Sequence, residues 1–226
     1  MQRKYGWLAG LALAATATTA TAAESGFYFG GALGQSSYDV KKGDADAIFD
    51  FALFEAGNEV GFDVLDTDSD MDKSDTLFGA LVGYQFGPYF AVEAAYLDLG
   101  KADYDNDAVI FSPTLGGMTI NGGLSLESSG PALSGIGILP LSESFDLYAR
   151  LGVFFSDTKL KVSIEGESDS LSGNDEDLFY GLGASWNIGT SWTLRLEYQM
   201  FEKVGKKNET GEGDVDAVTL GVLYRL

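Results

Sequence analysis

Four charged side chains, Glu93, Arg150, Arg195 and Glu197, are each flanked by apolar or small residues rather than by other charges of a polar run. Two acids and two bases brought to one level of a confined interior would neutralise one another, whereas a lone charge there would be costly. A second set is acidic throughout. Asp66, Asp68, Asp70, Asp72 and Asp75 follow Glu59 and Asp63, and alternate carboxylates can present oxygens to a hard divalent cation such as Ca²⁺. The match to an EF-hand loop fails, because Met71 stands where the turn glycine belongs and Leu77 where the bidentate Glu belongs. The first four of these Asp residues are the candidate divalent-cation loop. A solvated, unstructured loop is the competing reading, and weak divalent bridging to lipopolysaccharide lies between them. The chain contains neither His nor Cys. That removes the commonest general base, thiolate metal sites and disulfides. Without His a Ser-His or Asp-His mechanism is excluded, so no enzymatic activity and no cofactor are expected. Gly116-Gly117 and Gly122-Gly123 lead into no Lys-Ser or Lys-Thr pair and read as turn material.

The formal charge of the 226 residues is −20. Such acidity repels nucleic acid, which is not an expected partner. Arg3 and Lys4, the apolar stretch Leu8 to Ala17 and the small residues Ala20-Thr21-Ala22 form an export signal. Residues 1–22 are therefore expected to be a signal peptide and 23–226 the mature domain. Thr16, Thr18, Thr19 and Thr21 dilute the apolar run below what a spanning helix requires. No later segment approaches one, so any membrane role falls to strands.

Period-two alternation and turn residues mark eight strands: Phe27 to Ser36, Thr76 to Phe86, Tyr89 to Leu99, Leu126 to Leu139, Phe145 to Asp157, Asp177 to Ile188, Trp192 to Glu202 and Val215 to Leu226. Most are long enough for a tilted strand to cross a bilayer. Pro131 lacks a ladder donor, which predicts that the fourth strand effectively begins near Ala132. Gly87-Pro88, Pro140 to Ser144 and Gly189 to Ser191 are short connections; Ser37 to Asp75, Gly100 to Ser125, Thr158 to Glu176 and Lys203 to Asp214 are long polar ones. Short periplasmic turns opposite long external loops are the pattern of outer-membrane barrels. In the first long loop, Ala47 to Phe54 is an apolar patch suited to a short helix or a partner contact.

The rows Phe78, Ala80, Val82, Tyr84, Phe86 and Leu147, Ala149, Leu151, Val153, Phe155 carry no charge, and neither do Phe90 to Tyr96 or Leu178 to Trp186 in alternate positions. Their partners include Gly79, Gly83, Gln85, Glu93, Arg150, Gly181, Gly183, Ser185, Arg195, Glu197 and Gln199. Polar and small residues are thus expected to face a lumen and apolar ones lipid, the reverse of a soluble barrel. Phe86, Tyr89, Phe90, Phe145, Trp186, Trp192 and Tyr224 gather near the short turns as an interfacial girdle, and Tyr38, Tyr96, Tyr180, Tyr198 and Phe201 are expected to supply the outer one. Glu93, Arg150, Arg195 and Glu197 fall three to five residues above their short turns. A paired network plugging the lumen follows.

In the last strand, Val218, Leu220, Val222, Tyr224 and Leu226 alternate with Thr219, Gly221, Leu223 and Arg225. Gly221, Tyr224 and Leu226 resemble the C-terminal signal read by the barrel-assembly machinery, with Leu226 where Phe is usual. From about Gly26 to Leu226 the strand number, loop pattern and interior charges resemble the outer membrane protein A-like family of eight-stranded transmembrane β-barrels. That resemblance implies an all-β, antiparallel up-and-down barrel in the cell outer membrane, in contact with membrane lipid and lipopolysaccharide. Members often add a periplasmic peptidoglycan-binding domain, which the sequence here is expected to lack. The function expected is structural or surface-interacting, with acidic external loops open to divalent cations or surface partners. The alternatives are a narrow channel for small solutes, an envelope enzyme on a barrel scaffold, and a soluble binding barrel with its faces inverted.

Overall fold

The computed structural model describes residues 25–114, 116–165, 167–205 and 213–226; the expected signal peptide lies outside them. The alternation read from the sequence becomes nine strands and one helix: β1 (Gly26–Tyr38), α1 (Lys42–Val60), β2 (Asp63–Asp72), β3 (Ser74–Phe86), β4 (Phe90–Ser112), β5 (Gly116–Pro140), β6 (Phe145–Ile164), β7 (Glu167–Ile188), β8 (Trp192–Val204) and β9 (Gly213–Arg225). Eight strands close antiparallel in the ring β1-β3-β4-β5-β6-β7-β8-β9, with β9 returning to β1. The ninth, β2, stands outside the ring and pairs only with the distal half of β4. Closure leaves no ring strand without a neighbour, which is what lets a sheet cross hydrocarbon. Among the described residues no helix is long and apolar enough to do so.

The strands differ in length in a way the sequence conceals. β1, β3, β8 and β9 have 13 residues each, close to what a tilted crossing needs. β4, β5, β6 and β7 have 23, 25, 20 and 22. The segments Gly100 to Ser125 and Thr158 to Glu176, expected to be loops, therefore continue the ladder as a wall standing on one side of the barrel mouth. Their polarity reflects the exposure of much of the wall, not loss of pairing.

Pro131 does not end β5. The β5–β6 register is the same on either side, Ser129 opposite Asp157 and Ala132 opposite Phe154, and only the Gly130 and Pro131 positions are skipped. Pro131 remains opposite Tyr96 of β4, so the missing N–H costs one interruption on one side. At Gly130 the chains approach so closely that a Cβ would lie 2.0 Å from the Phe155 carbonyl oxygen.

Outward rows are exposed and inward rows buried along the membrane-crossing part of each ring strand. Ring pairs collect at the short-turn end: Phe27 with Tyr84 at 4.7 Å, Phe145 stacked on Trp186 at 5.8 Å, and Trp192 with Tyr224 at 4.9 Å. Amphipathic rings favour this depth. One inward layer departs from the expected polarity. Phe154, Phe179, Phe201, Leu77 and Leu99 are at most 1% exposed and form an apolar cluster with Leu97, Val215 and Ala217. Phe201, expected in the outer girdle, belongs to this interior cluster, because its backbone shares the phase of Glu197 and Gln199.

The first long connection is also ordered. α1 contains the apolar patch Ala47 to Phe54 and ends at Gly61, whose left-handed backbone (φ 81°) directs its N–H to the Gly57 carbonyl at 2.9 Å. It packs Ala45 and Phe49 against Tyr104. Tyr104 lies in the inward phase of β4, so α1 covers the lumen side of the wall. Phe51 and Phe54 stay exposed.

Candidate functional site

Three strands on different sides of the ring deliver the interior charges. β4 carries Glu93, β6 carries Arg150, and β8 carries Arg195 and Glu197. Each side chain points inward because it alternates with a lipid-facing neighbour, and each lies a few residues from a short turn, so tilt and register bring them to one depth. Arg150 bridges the two acids: Nη1 donates to Glu93 Oε2 at 2.7 Å, Nε to Glu197 Oε1 at 2.6 Å and Nη2 to Glu197 Oε2 at 3.0 Å. Arg195 donates through Nη1 to Glu93 Oε1.

Three side chains that the sequence reading did not single out complete the layer. Tyr28 donates to Glu93 Oε1 at 2.6 Å, Tyr148 to Glu197 Oε2 at 3.0 Å, and Ser134 accepts from Arg150 Nη1 at 2.9 Å. The Arg195 guanidinium sits 5.4 Å from the Tyr28 ring centre and 5.0 Å from that of Tyr148, close enough for both ring faces to attract it. The tyrosines fit because each lies directly opposite a glycine: Tyr28 pairs with Gly83 and Tyr148 with Gly183. A Cβ at either glycine would fall 2.4 Å from the tyrosine ring. The inward glycines were visible in the sequence; which aromatic each one faces required the strand register.

Every carboxylate oxygen of Glu93 and Glu197 accepts at least one hydrogen bond, and both acids are almost wholly buried. Formal charge within the layer cancels. Such an arrangement fixes charge in place across the lumen; it does not present a free base or nucleophile to a substrate. Among the described residues, two buried side-chain atoms have no hydrogen-bond partner, Arg195 Nε and Gln199 Oε1. They border small spaces on either side of the layer, a polar one beside Arg195 and a largely apolar one beside Gln199.

The acidic set of the first loop is placed differently. Asp66, Asp68, Asp70 and Asp72 lie on one face of β2, with Asp68, Asp70 and Asp72 directly opposite Asp107, Asp105 and Asp103 of β4. Among the described residues no group of three or more acidic side chains is arranged to hold a metal ion. The candidate divalent-cation loop is an edge strand and not an unstructured loop. Its carboxylates serve the backbone: Asp66 accepts from the N–H of Thr67 at 3.1 Å, Asp70 from Met71 at 2.9 Å and Asp72 from Ser74 at 3.1 Å. Lys42 covers the Ser69 carbonyl at 2.5 Å. At the far side of the wall β7 repeats the device, with Asp169 accepting from Ser170 and Asp175 from Glu176, both at 2.8 Å. Acids at alternate positions thus occupy donors that a sheet edge leaves unpaired.

At the C-terminal strand, Gly221 lies opposite both Ala32 and Arg195, Tyr224 packs on Trp192, and the Leu226 N–H donates to the Phe27 carbonyl at 3.0 Å.

Against known proteins, the model of the OmpA-like transmembrane domain matches residues 22–226. Outer membrane protein A of Yersinia pseudotuberculosis is 28% identical over 220 residues, covering 95% of this chain and 53% of the relative. That of Escherichia fergusonii is 29% identical over the same length and shares. The chain spans about half the length of these curated relatives. Among solved structures, Ail of Yersinia pestis in complex with the heparin analogue sucrose octasulfate aligns at TM-score 0.44 and 20% identity, covering 89% of this chain and 97% of the other. Neisserial surface protein A aligns at 0.48 and 13%, covering 90% and 99%.

Proposed function

Because this chain belongs to the OmpA-like transmembrane domain family and so lies in the cell outer membrane, we propose that it acts as a closed, non-enzymatic barrel. In this reading its lumen is sealed by Glu93, Arg150, Arg195 and Glu197, and its work is done by the acidic wall outside. The observation that carries the proposal is Arg150, almost wholly buried and bonded to Glu93 and Glu197 on strands from two other sides of the ring. A buried network of this kind resists opening, because removing any one member leaves a net charge in the layer. Eight strands enclose an interior that side chains can fill.

The wall of β2 and the distal halves of β4 to β7 offers the surface for structural or adhesive contact. Outer-leaflet lipopolysaccharide meets the exposed apolar belt, and Gly221, Tyr224 and Leu226 serve as the signal to the assembly machinery. The test is conductance of the purified protein in planar bilayers, with Arg150→Ala and Arg195→Ala beside the unsubstituted chain. A silent unsubstituted barrel is expected. Steady channels in it, unchanged in both variants, would overturn the sealed lumen and return the narrow-channel reading.

A further inference from the structure

Three of the four lumen charges are followed, four residues outward on the same strand, by a large apolar side chain; Arg195 is followed by Gln199. Four residues outward from Glu93 on β4 is Leu97; four outward from Arg150 on β6 is Phe154; four outward from Glu197 on β8 is Phe201. Because four residues preserve the inward phase, each strand that delivers a charge also delivers a large apolar group about 13 Å further along the strand. β7 and β3 add Phe179 and Leu77, and the five meet. Phe201 stacks on Phe179 with ring centres 5.0 Å apart and meets Phe154 edge-on at 5.5 Å. Gly152, opposite Phe179 on β6, makes room for that ring. Outward of the cluster the buried groups become polar again, Ser128 with Thr158 at 3.1 Å and Ser156 with Asp177 at 2.5 Å.

We propose that Phe154, Phe179, Phe201, Leu77 and Leu97 form a second seal in series with the ion pairs, and that this dry layer keeps the lumen shut when the charges are lost. The proposal rests on the closed-lumen reading and adds to it. An ion crossing here exchanges water for hydrocarbon with no dipole to replace its hydration shell, and a constriction this apolar excludes water itself. A charged layer can reopen by exchanging partners; packed rings have no polar alternative. The two layers are distinct: between them lies a space of about 30 Å³ bordered by Leu77, Leu97 and Phe179 on one side and by Arg150, Glu197 and the unpartnered Gln199 Oε1 on the other. That volume suits about one water.

Three variants test it in planar bilayers, each first checked for a boiling-dependent mobility shift in SDS electrophoresis to show a folded barrel. The first neutralises the charged layer (Glu93→Gln, Arg150→Met, Arg195→Met, Glu197→Gln). The second opens the apolar layer (Phe154→Ser, Phe179→Ser, Phe201→Ser), and the third combines both. Phe201→Ala, which removes both ring contacts at once, replaces the triple change if that fails to fold. The expected result is silence from the unsubstituted chain and from the charge variant, with steady conductance in the combined one. A charge variant that conducts as well as the combined variant would overturn the second seal, as would a folded combined variant that stays silent. Steady conductance in the unsubstituted chain would instead remove the closed-lumen reading beneath it.

Discussion

Arg150 grips Glu197 with two nitrogens at once, Nε on Oε1 at 2.6 Å and Nη2 on Oε2 at 3.0 Å, while its third nitrogen reaches Glu93. Only a planar guanidinium offers this fork and a further donor together. Arg150→Lys keeps the charge and loses the fork, so one acid is left short of donors; a loss of about 1.5–3 kcal/mol is expected. Arg150→Ala leaves Glu197 with no cationic partner and Glu93 with Arg195 alone, and is expected to cost about 3–5 kcal/mol. Urea titration of the folded band on unboiled gels ranks the two. Equal midpoints for Arg150→Lys and the unsubstituted chain would show that the fork contributes nothing.

The Asp residues of β2 and β7 cap edge donors, and their charges repel another strand. Replacing Asp66, Asp70, Asp169 and Asp175 by Ala uncovers both edges of the wall and is expected to raise the oligomeric fraction in detergent, measured by light scattering after gel filtration. The matching Asn variant retains an acceptor oxygen and loses the charge, so its position between the two separates the hydrogen bond from the repulsion. An Ala variant no more associated than the unsubstituted chain would count against edge protection. The same geometry predicts no stoichiometric Ca²⁺ site: calorimetric titration should show no saturable heat, and a saturating isotherm lost in the Ala variant would restore the ligand reading.

Asp46 ties α1 to the wall by accepting from Ser69 Oγ and from the Tyr104 hydroxyl, each at 2.7 Å. The Ser69 hydrogen bond and then that from Tyr104 hold its carboxyl below the usual range, with Lys42 assisting. A carboxylate whose folded value lies below its unfolded one stabilises fully above the unfolded value and loses that contribution as pH falls through the folded one. Acid is therefore expected to release α1 before the barrel opens. Hydrogen exchange of segment 42–60, corrected for its intrinsic pH dependence, should lose protection below about pH 4 in the unsubstituted chain, and Asp46→Ala should lack that protection already at neutral pH. Protection that is identical in both chains would remove Asp46 from the docking of α1.

Alternation such as Phe78 to Phe86 made the transmembrane strands legible, since side-chain period two needs no partner to be read. The charges Glu93, Arg150, Arg195 and Glu197 were legible because charge is rare in such rows. What lay hidden depends on register. Thr67 and Ser69 look like loop until β4 is placed beside them, and Pro131 looks like a terminus until β5 is seen to keep step with β6 on either side. Phe154 and Phe179 escaped because a lumen was expected to be polar, so inward residues were sorted by polarity when phase alone decides where they point. The packing of Phe49 on Tyr104 joins residues far apart in sequence, and no local pattern encodes it.

Gly152 is where register and packing meet most tightly. A Cβ there would lie 2.4 Å from the Phe179 ring and 2.5 Å from the Leu133 carbonyl oxygen. The ring could turn, but the carbonyl belongs to the β5 ladder and cannot yield without displacing Ser134, which pairs with Gly152 and bonds Arg150. Gly152→Ala is therefore expected to destabilise the barrel by about 1–3 kcal/mol, the usual range for overpacking. Gly137→Ala is the control, since its Cβ would meet nothing within 4 Å. Urea midpoints on unboiled gels should fall for the first and hold for the second. Equal midpoints would mean that β5 and β6 shift apart freely, and that the tight seating of Phe179 in the apolar layer is not a source of stability.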